Sequence, residues 1–173
     1  MSERCIGCSA RVERTDGPTH RYMTSAPGCW HRYGELLGVL AVDHALWTAR
    51  VLYTDAYAAQ HPGTPGPQAI QSVAIHLINS YDHLVAGHPI DIPRVVGPKG
   101  GFHWLTPPSF DGARTVFDVP VAGTREELTQ AALHWVTSVW EAWAPHHAQI
   151  AQWHRQFRAA DRRARPAPGS ARE

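Results

Sequence analysis

From Trp30 to about Val42, apolar residues recur at Tyr33, Leu36, Leu37 and Leu40, the three-and-four spacing of one helix face. A second helical run is predicted over about 44–60, with Leu46, Ala49, Val51, Leu52, Tyr53 and Ala56 apolar. The stretch His61-Pro62-Gly63-Thr64-Pro65-Gly66-Pro67 ends it, because proline cannot continue a helix and glycine supplies a turn. A third helix is predicted over about 68–86 on Ile70, Val73, Leu77 and Leu84, closed by Gly87. The last helix has the clearest start, since Thr124-Arg125-Glu126-Glu127 fits a capping box that satisfies two otherwise orphaned N–H groups. Leu128, Ala131, Ala132, Trp135, Val139, Ala142 and Trp143 supply its core face, and Pro145 predicts a kink before the pattern resumes over 146–160.

Two segments carry no helical period. The first 28 residues are broken by Gly7, Gly17, Pro18, Pro27 and Gly28, and residues 88–123 are rich in proline and glycine. Within the latter, Arg114 to Val121 reads as a short strand or extended segment, and the whole block reads as a functional cover or an ordered Ω-type excursion. The expected fold is therefore mainly α: a bundle of three to four helices with an N-terminal zinc-knuckle-like segment and a long excursion before the last helix. One domain is expected over 1–157, divided into a clip segment (1–31), helices (32–86), the irregular excursion (88–123) and a final kinked helix (124–157). A frayed basic tail follows over 158–173.

Composition narrows the function classes. With 173 residues, 43% hydrophobic content and seven tryptophans, the chain can bury a substantial core without needing a staple to fold. The net charge of +1 gives no basic footprint for nucleic acid. The one basic run, Arg155 to Arg165, leads into Pro166-Ala167-Pro168-Gly169-Ser170 and reads as solvated surface. No stretch is long and apolar enough to span a membrane, and Met1 to Ala10 lacks the apolar core of a secretory signal. A cytoplasmic protein is expected, with neither nucleic acid nor membrane as partner.

Three cysteines are too few and too odd in number for a disulfide framework. Cys5-Ile6-Gly7-Cys8 is a knuckle that turns two thiolates toward one ion, and Cys29 lies just before a predicted helix, whose N-terminus favours the thiolate. A structural zinc site of the Cys₃His type is expected on Cys5, Cys8 and Cys29. His20, between the knuckle and the third cysteine, is the preferred fourth ligand, with His31 and His61 as alternatives. A redox pair at Cys5 and Cys8, or Cys29 as a nucleophile beside His20 or His31, competes for the same sulfurs.

These motifs occur in a familiar order. The knuckle, Gly17-Pro-Thr-His-Arg-Tyr-Met, Ser25-Ala-Pro-Gly-Cys-Trp and Tyr33-Gly-Glu resemble a family of small bacterial proteins known as a domain of unknown function. Asp55-Ala-Tyr-Ala-Ala-Gln-His-Pro-Gly, Gln71-Ser-Val-Ala-Ile-His-Leu, Trp135-Val-Thr-Ser-Val-Trp-Glu-Ala-Trp and His146-His147 extend the resemblance over about 5–155. It implies a bacterial origin and groups the motifs. It supplies no substrate.

Twelve histidines give the bundle its candidate chemistry. Asp55, Tyr57 and His61 cluster at the end of one predicted helix, His76 lies midway along the next, and His147 stands on the last. As acid/base or ligand residues they would form a pocket for a small molecule. His61 and His76 are not expected to share one ion, because the intervening link leaves them about 12 Å apart along the helices. The bland reading is that such histidines are hydrogen-bonded core residues and that the tryptophans are packing anchors. No nucleophile elbow, Walker loop or dinucleotide fingerprint is present, and Gly97-Pro98-Lys99-Gly100-Gly101 reads as a turn or a lid. The expected function is that of a zinc-binding protein with a histidine-lined pocket, whether or not it is an enzyme. A zinc-stabilised interaction module with a Trp-rich surface, or a thiol sensor, is the alternative.

Overall fold

The computed structural model describes residues 1–90 and 101–164, with side chains as far as Ala160. Among the described residues it is mainly helical, with five α-helices and one small sheet. Strands β1 (Ser2–Arg4) and β2 (Arg11–Glu13) pair antiparallel, with Glu3 opposite Val12. The hairpin replaces the irregular start expected from the glycines, and its connection is the cysteine knuckle itself. Ser9, at φ 64°, closes that turn, with its N–H donated to the Cys5 carbonyl at 2.9 Å.

Helices α1 (Pro27–Ala41), α2 (Trp47–Gln60) and α3 (Pro67–Leu84) follow. Pro27 and Pro67, which look like breakers in the sequence, are the first residues of α1 and α3. There the missing N–H costs nothing and the fixed φ suits the helix. A 3-10 turn, His44–Leu46, separates α1 from α2, with the Asp43 carboxylate accepting the Ala45 N–H.

Helix α4 (Arg125–Ala142) starts at the expected capping box, with Thr124 and Glu127 each bonded to the other's backbone N–H. The expected single kinked helix is in fact two. Trp143 ends α4, Ala144–His146 form a 3-10 turn around Pro145, and α5 (His147–Ala164) runs on separately. Among the described residues the bundle therefore has five helices rather than three or four, because Pro145 does more than bend the chain.

The expected strand within 114–121 is instead a 3-10 turn, Val116–Asp118. Thr115 and Asp118 cap it reciprocally, a local bonding pattern that a strand would not offer. Around it Leu105, Phe110, Val116 and Val119 are buried, so the described part of the excursion covers the core. The expected glycine turn at 97–101 lies outside the described residues except for Gly101.

Helix α2 is the axis of the bundle, packed against α1, α3 and α4, while α5 packs on α3. Every residue from Val51 to Gln60 except Thr54 is buried. Its alanines, Ala49, Ala56, Ala58 and Ala59, let neighbouring helices approach closely, and Leu36, Leu77, Trp135, Val136, Trp143 and Ile150 fill the space between. Of the seven tryptophans, Trp135, Trp140, Trp143 and Trp153 are buried, and Trp30, Trp47 and Trp104 are half-buried. Among the described residues, no helix is long and apolar enough to cross a membrane.

A polar clamp ties α3 to α5. Asp82 Oδ1 accepts from His154 Nε2 at 2.6 Å, Arg158 Nη2 at 2.7 Å and His88 Nδ1 at 2.9 Å. Arg158, expected to open the frayed tail, is anchored, and the helix continues to Ala164; the remaining tail residues lie outside those described.

Candidate metal centre

Four side chains from three parts of the chain converge. The hairpin turn brings Cys5 and Cys8, the first turn of α1 brings Cys29, and the end of α2 brings His61. All four are buried, at 1% exposure or less, and their ligand atoms lie within 4.8 Å of one another. Cys8 Sγ and Cys29 Sγ are 3.7 Å apart, and His61 Nε2 is 3.5 Å from Cys5 Sγ and 3.4 Å from Cys29 Sγ. The cysteines are unbridged thiols.

His61, and not His20, stands in fourth place. The His20 ring lies instead against Tyr22 and Trp30, at centroid distances of 4.4 and 5.1 Å, and its Nδ1 is buried without a partner. His31 is exposed beside Glu35. Sequence distance misled here: His20 is near in the chain, whereas α2 crosses behind the hairpin and delivers His61 from 32 residues beyond Cys29. The signal that could have found it is the break after Gln60, which frees the last side chain of α2 from helical register.

The surroundings are organised toward the sulfurs. His61 Nδ1 donates to the Tyr57 carbonyl at 2.7 Å, which leaves the Nε2 lone pair facing the cysteines. The Ala26 N–H donates to Cys5 Sγ at 3.4 Å, and the Tyr57 hydroxyl to Cys29 Sγ at 3.9 Å. Tyr57 stacks on His61 and on Tyr33, with centroids 3.9 Å apart in each case. Gly7 is needed for contact rather than for an unusual φ. A Cβ there would sit 2.5 Å from the Thr24 carbonyl oxygen and 2.9 Å from that of Gln60, and would also strike the His61 ring.

The three buried sulfurs oppose one another's ionisation. Hydrogen bonds from Cys29 and Cys8 hold the Cys5 thiol far below its ordinary range. The same contact with Cys5, then Cys8 and burial, pushes Cys29 far up. Cys8 is drawn down by Cys29 but is left at about 12 by Cys5 and burial together. Burial, and then Cys29, also raise the Tyr57 hydroxyl. A divalent ion among the sulfurs removes this conflict, since it allows all three to ionise.

The other predicted site residues separate from this centre. Asp55, 3% exposed, accepts from His76 Nδ1 at 2.7 Å and from Asn79 Nδ2 at 3.3 Å, so α3 clasps α2 through it. Burial pushes the Asp55 carboxyl up, and the hydrogen bond from His76 pulls it partly back. Tyr57 and His61 serve the cysteines and not this pair. His147 joins neither group: it stacks on Trp140 at 3.8 Å and donates Nε2–H to the Trp140 carbonyl at 2.9 Å. Gln60, from the same motif, accepts from Trp135 Nε1 at 2.9 Å and donates to the Arg114 carbonyl at 2.7 Å.

A second set of ligand-type atoms, Asp82, His88 and His154, also lies close together. Arg158 bonds to the same Asp82 oxygen and already brings positive charge to that place.

The model of the DUF5946 family, a family of unknown function, matches residues 3–144, and the chain belongs to that family. No curated protein and no solved structure matches it. The matched span contains all four converging side chains together with Asp55 and His76.

Proposed function

We propose that this member of the DUF5946 family is a zinc protein in which Cys5, Cys8, Cys29 and His61 hold one structural ion. The observation that carries the reading is the set of ligand spacings. A tetrahedron with Zn–S of ~2.3 Å and Zn–N of ~2.0 Å has S···S edges of about 3.8 Å and S···N edges of about 3.5 Å. The observed values are 3.7 Å for Cys8–Cys29 and 3.5 and 3.4 Å for His61 with Cys5 and Cys29.

Three thiolates and one imidazole favour zinc over the hard cations, which prefer oxygen. Four protein ligands, all buried, leave no position for water or substrate, so the ion's work is structural. It ties the hairpin to α1 and α2, beside the Tyr33–Tyr57 stack that also joins the two helices. The thiol-sensor reading uses the same sulfurs and is the outcome to expect if the ion is absent.

Elemental analysis of protein purified without chelator tests this. One zinc per chain is expected, lost in Cys29→Ser and retained in His20→Ala. A metal-free wild-type protein would overturn the proposal.

A further inference from the structure

A second site lies on the α3 face, away from the sulfurs. Tyr22, Gln68, Gln71, Ser72, Ile75 and His76 line a shallow groove of about 300 Å³. The His76 side chain is 15% exposed. Its Nδ1 is held by Asp55, a carboxylate that is itself almost wholly buried. Its Nε2 has no partner among the described residues, and it is not among the buried atoms left unpaired, so it meets solvent. A histidine that merely satisfied Asp55 would need no such opening.

The pairing sets the ring's chemistry. With Asp55 accepting the Nδ1 proton, the lone pair resides on Nε2, at the groove. Ser72 and His76 are four apart on α3 and so share its face, with Gln68 one further turn back. Tyr22 forms the opposite wall. Its backbone is pressed against Gly63, where any Cβ would collide with the Tyr22 carbonyl, so the α2–α3 turn fixes it in place.

The lining also selects a ligand class. Apart from His76, its polar groups are two amides and two hydroxyls, with Ile75 as an apolar wall and no Lys, Arg, Asp or Glu. Such a surface pairs with neutral donors and acceptors and offers nothing to balance a phosphate or a dicarboxylate. At about 30 Å³ per water, the groove has room for about ten water-sized units, the scale of a small polyol.

We propose that this groove binds a small uncharged hydroxylic molecule and that His76 Nε2, oriented by Asp55, is the acceptor of its hydroxyl hydrogen bond. The ligand O–H donates to Nε2.

Diethyl pyrocarbonate, a small neutral reagent for imidazole lone pairs, tests this on the metal-loaded protein with peptide mass mapping. His76 should be modified about ten-fold faster than the exposed, unpaired His44, and Asp55→Asn should remove most of that advantage. Ser72→Trp, which fills the groove and leaves the pair intact, should shield His76. A His76 that reacts no faster than His44 in the wild-type protein would overturn the proposal, whatever the variants do. Sorbitol should protect His76 and phosphate should not; protection by phosphate, or by neither, would overturn the ligand class.

Discussion

His61 is bonded on both sides of its ring: Nδ1 donates to the Tyr57 carbonyl four residues back, at 2.7 Å, while Nε2 faces Cys5 and Cys29. The carbonyl is one that the end of α2 would otherwise leave partly unused, so terminating the helix and orienting a ligand are one event. Tyr57 also stacks on the ring, which limits its rotation.

His61→Ala should therefore lose metal and stability together, whereas His20→Ala should lose neither metal nor the N-terminal hairpin. Zinc content and thermal unfolding of the two variants check this. Adding chelator to the wild-type protein should lower its melting temperature toward that of His61→Ala.

Gly7→Ala should be as damaging as the loss of a ligand, although glycine touches no metal. The added methyl meets the His61 ring and two carbonyl oxygens, none of them a flexible chain end. Overpacking of this kind costs about 1–3 kcal/mol, before any loss of zinc is counted. Urea unfolding of metal-loaded Gly7→Ala checks it, and unchanged stability would contradict the close approach.

Gln60→Ala should destabilise the core without touching zinc stoichiometry. It strands the Trp135 indole N–H and the Arg114 carbonyl, each otherwise paired through Gln60. A buried unpaired group costs about 1–3 kcal/mol. Denaturant midpoints, with zinc measured in parallel, separate this loss from damage to the metal centre.

Acid should weaken the α3–α5 clamp through Asp82. Burial pushes its carboxyl up, but the bonds from His154 and His88 and the charge of Arg158 outweigh this, and it lies below the ordinary value. A depressed folded-state pKa gives stability that is fully present above the unfolded value, near ~3.9, and is lost as pH falls through the lower folded one. Asp82→Asn should be less stable than wild type at neutral pH, and the gap should close below about pH 4. Melting curves of both proteins between neutral and strongly acidic pH check the sign.

Much of the helical framework was legible in the sequence, because helix faces and caps are local: Leu36 and Leu40, Leu77, and Thr124 with Glu127 announce their elements within a few residues. So was the grouping of Cys5, Cys8 and Cys29 as candidate metal ligands, since a knuckle and a third cysteine stand out in a chain with no disulfide pattern. The split at Pro145 and the turn at Thr115–Asp118 were harder, because each depends on which of two local bonding patterns the packed chain favours. The fourth ligand belongs wholly to the tertiary structure. His20 and His61 are equally good imidazoles, and only the packing of α2 behind the hairpin brings His61 Nε2 to the sulfurs and leaves His20 among aromatic rings. The same holds for Asp55 and His76, whose pairing and open Nε2 arise from two helix faces meeting at a spacing that the sequence alone does not encode.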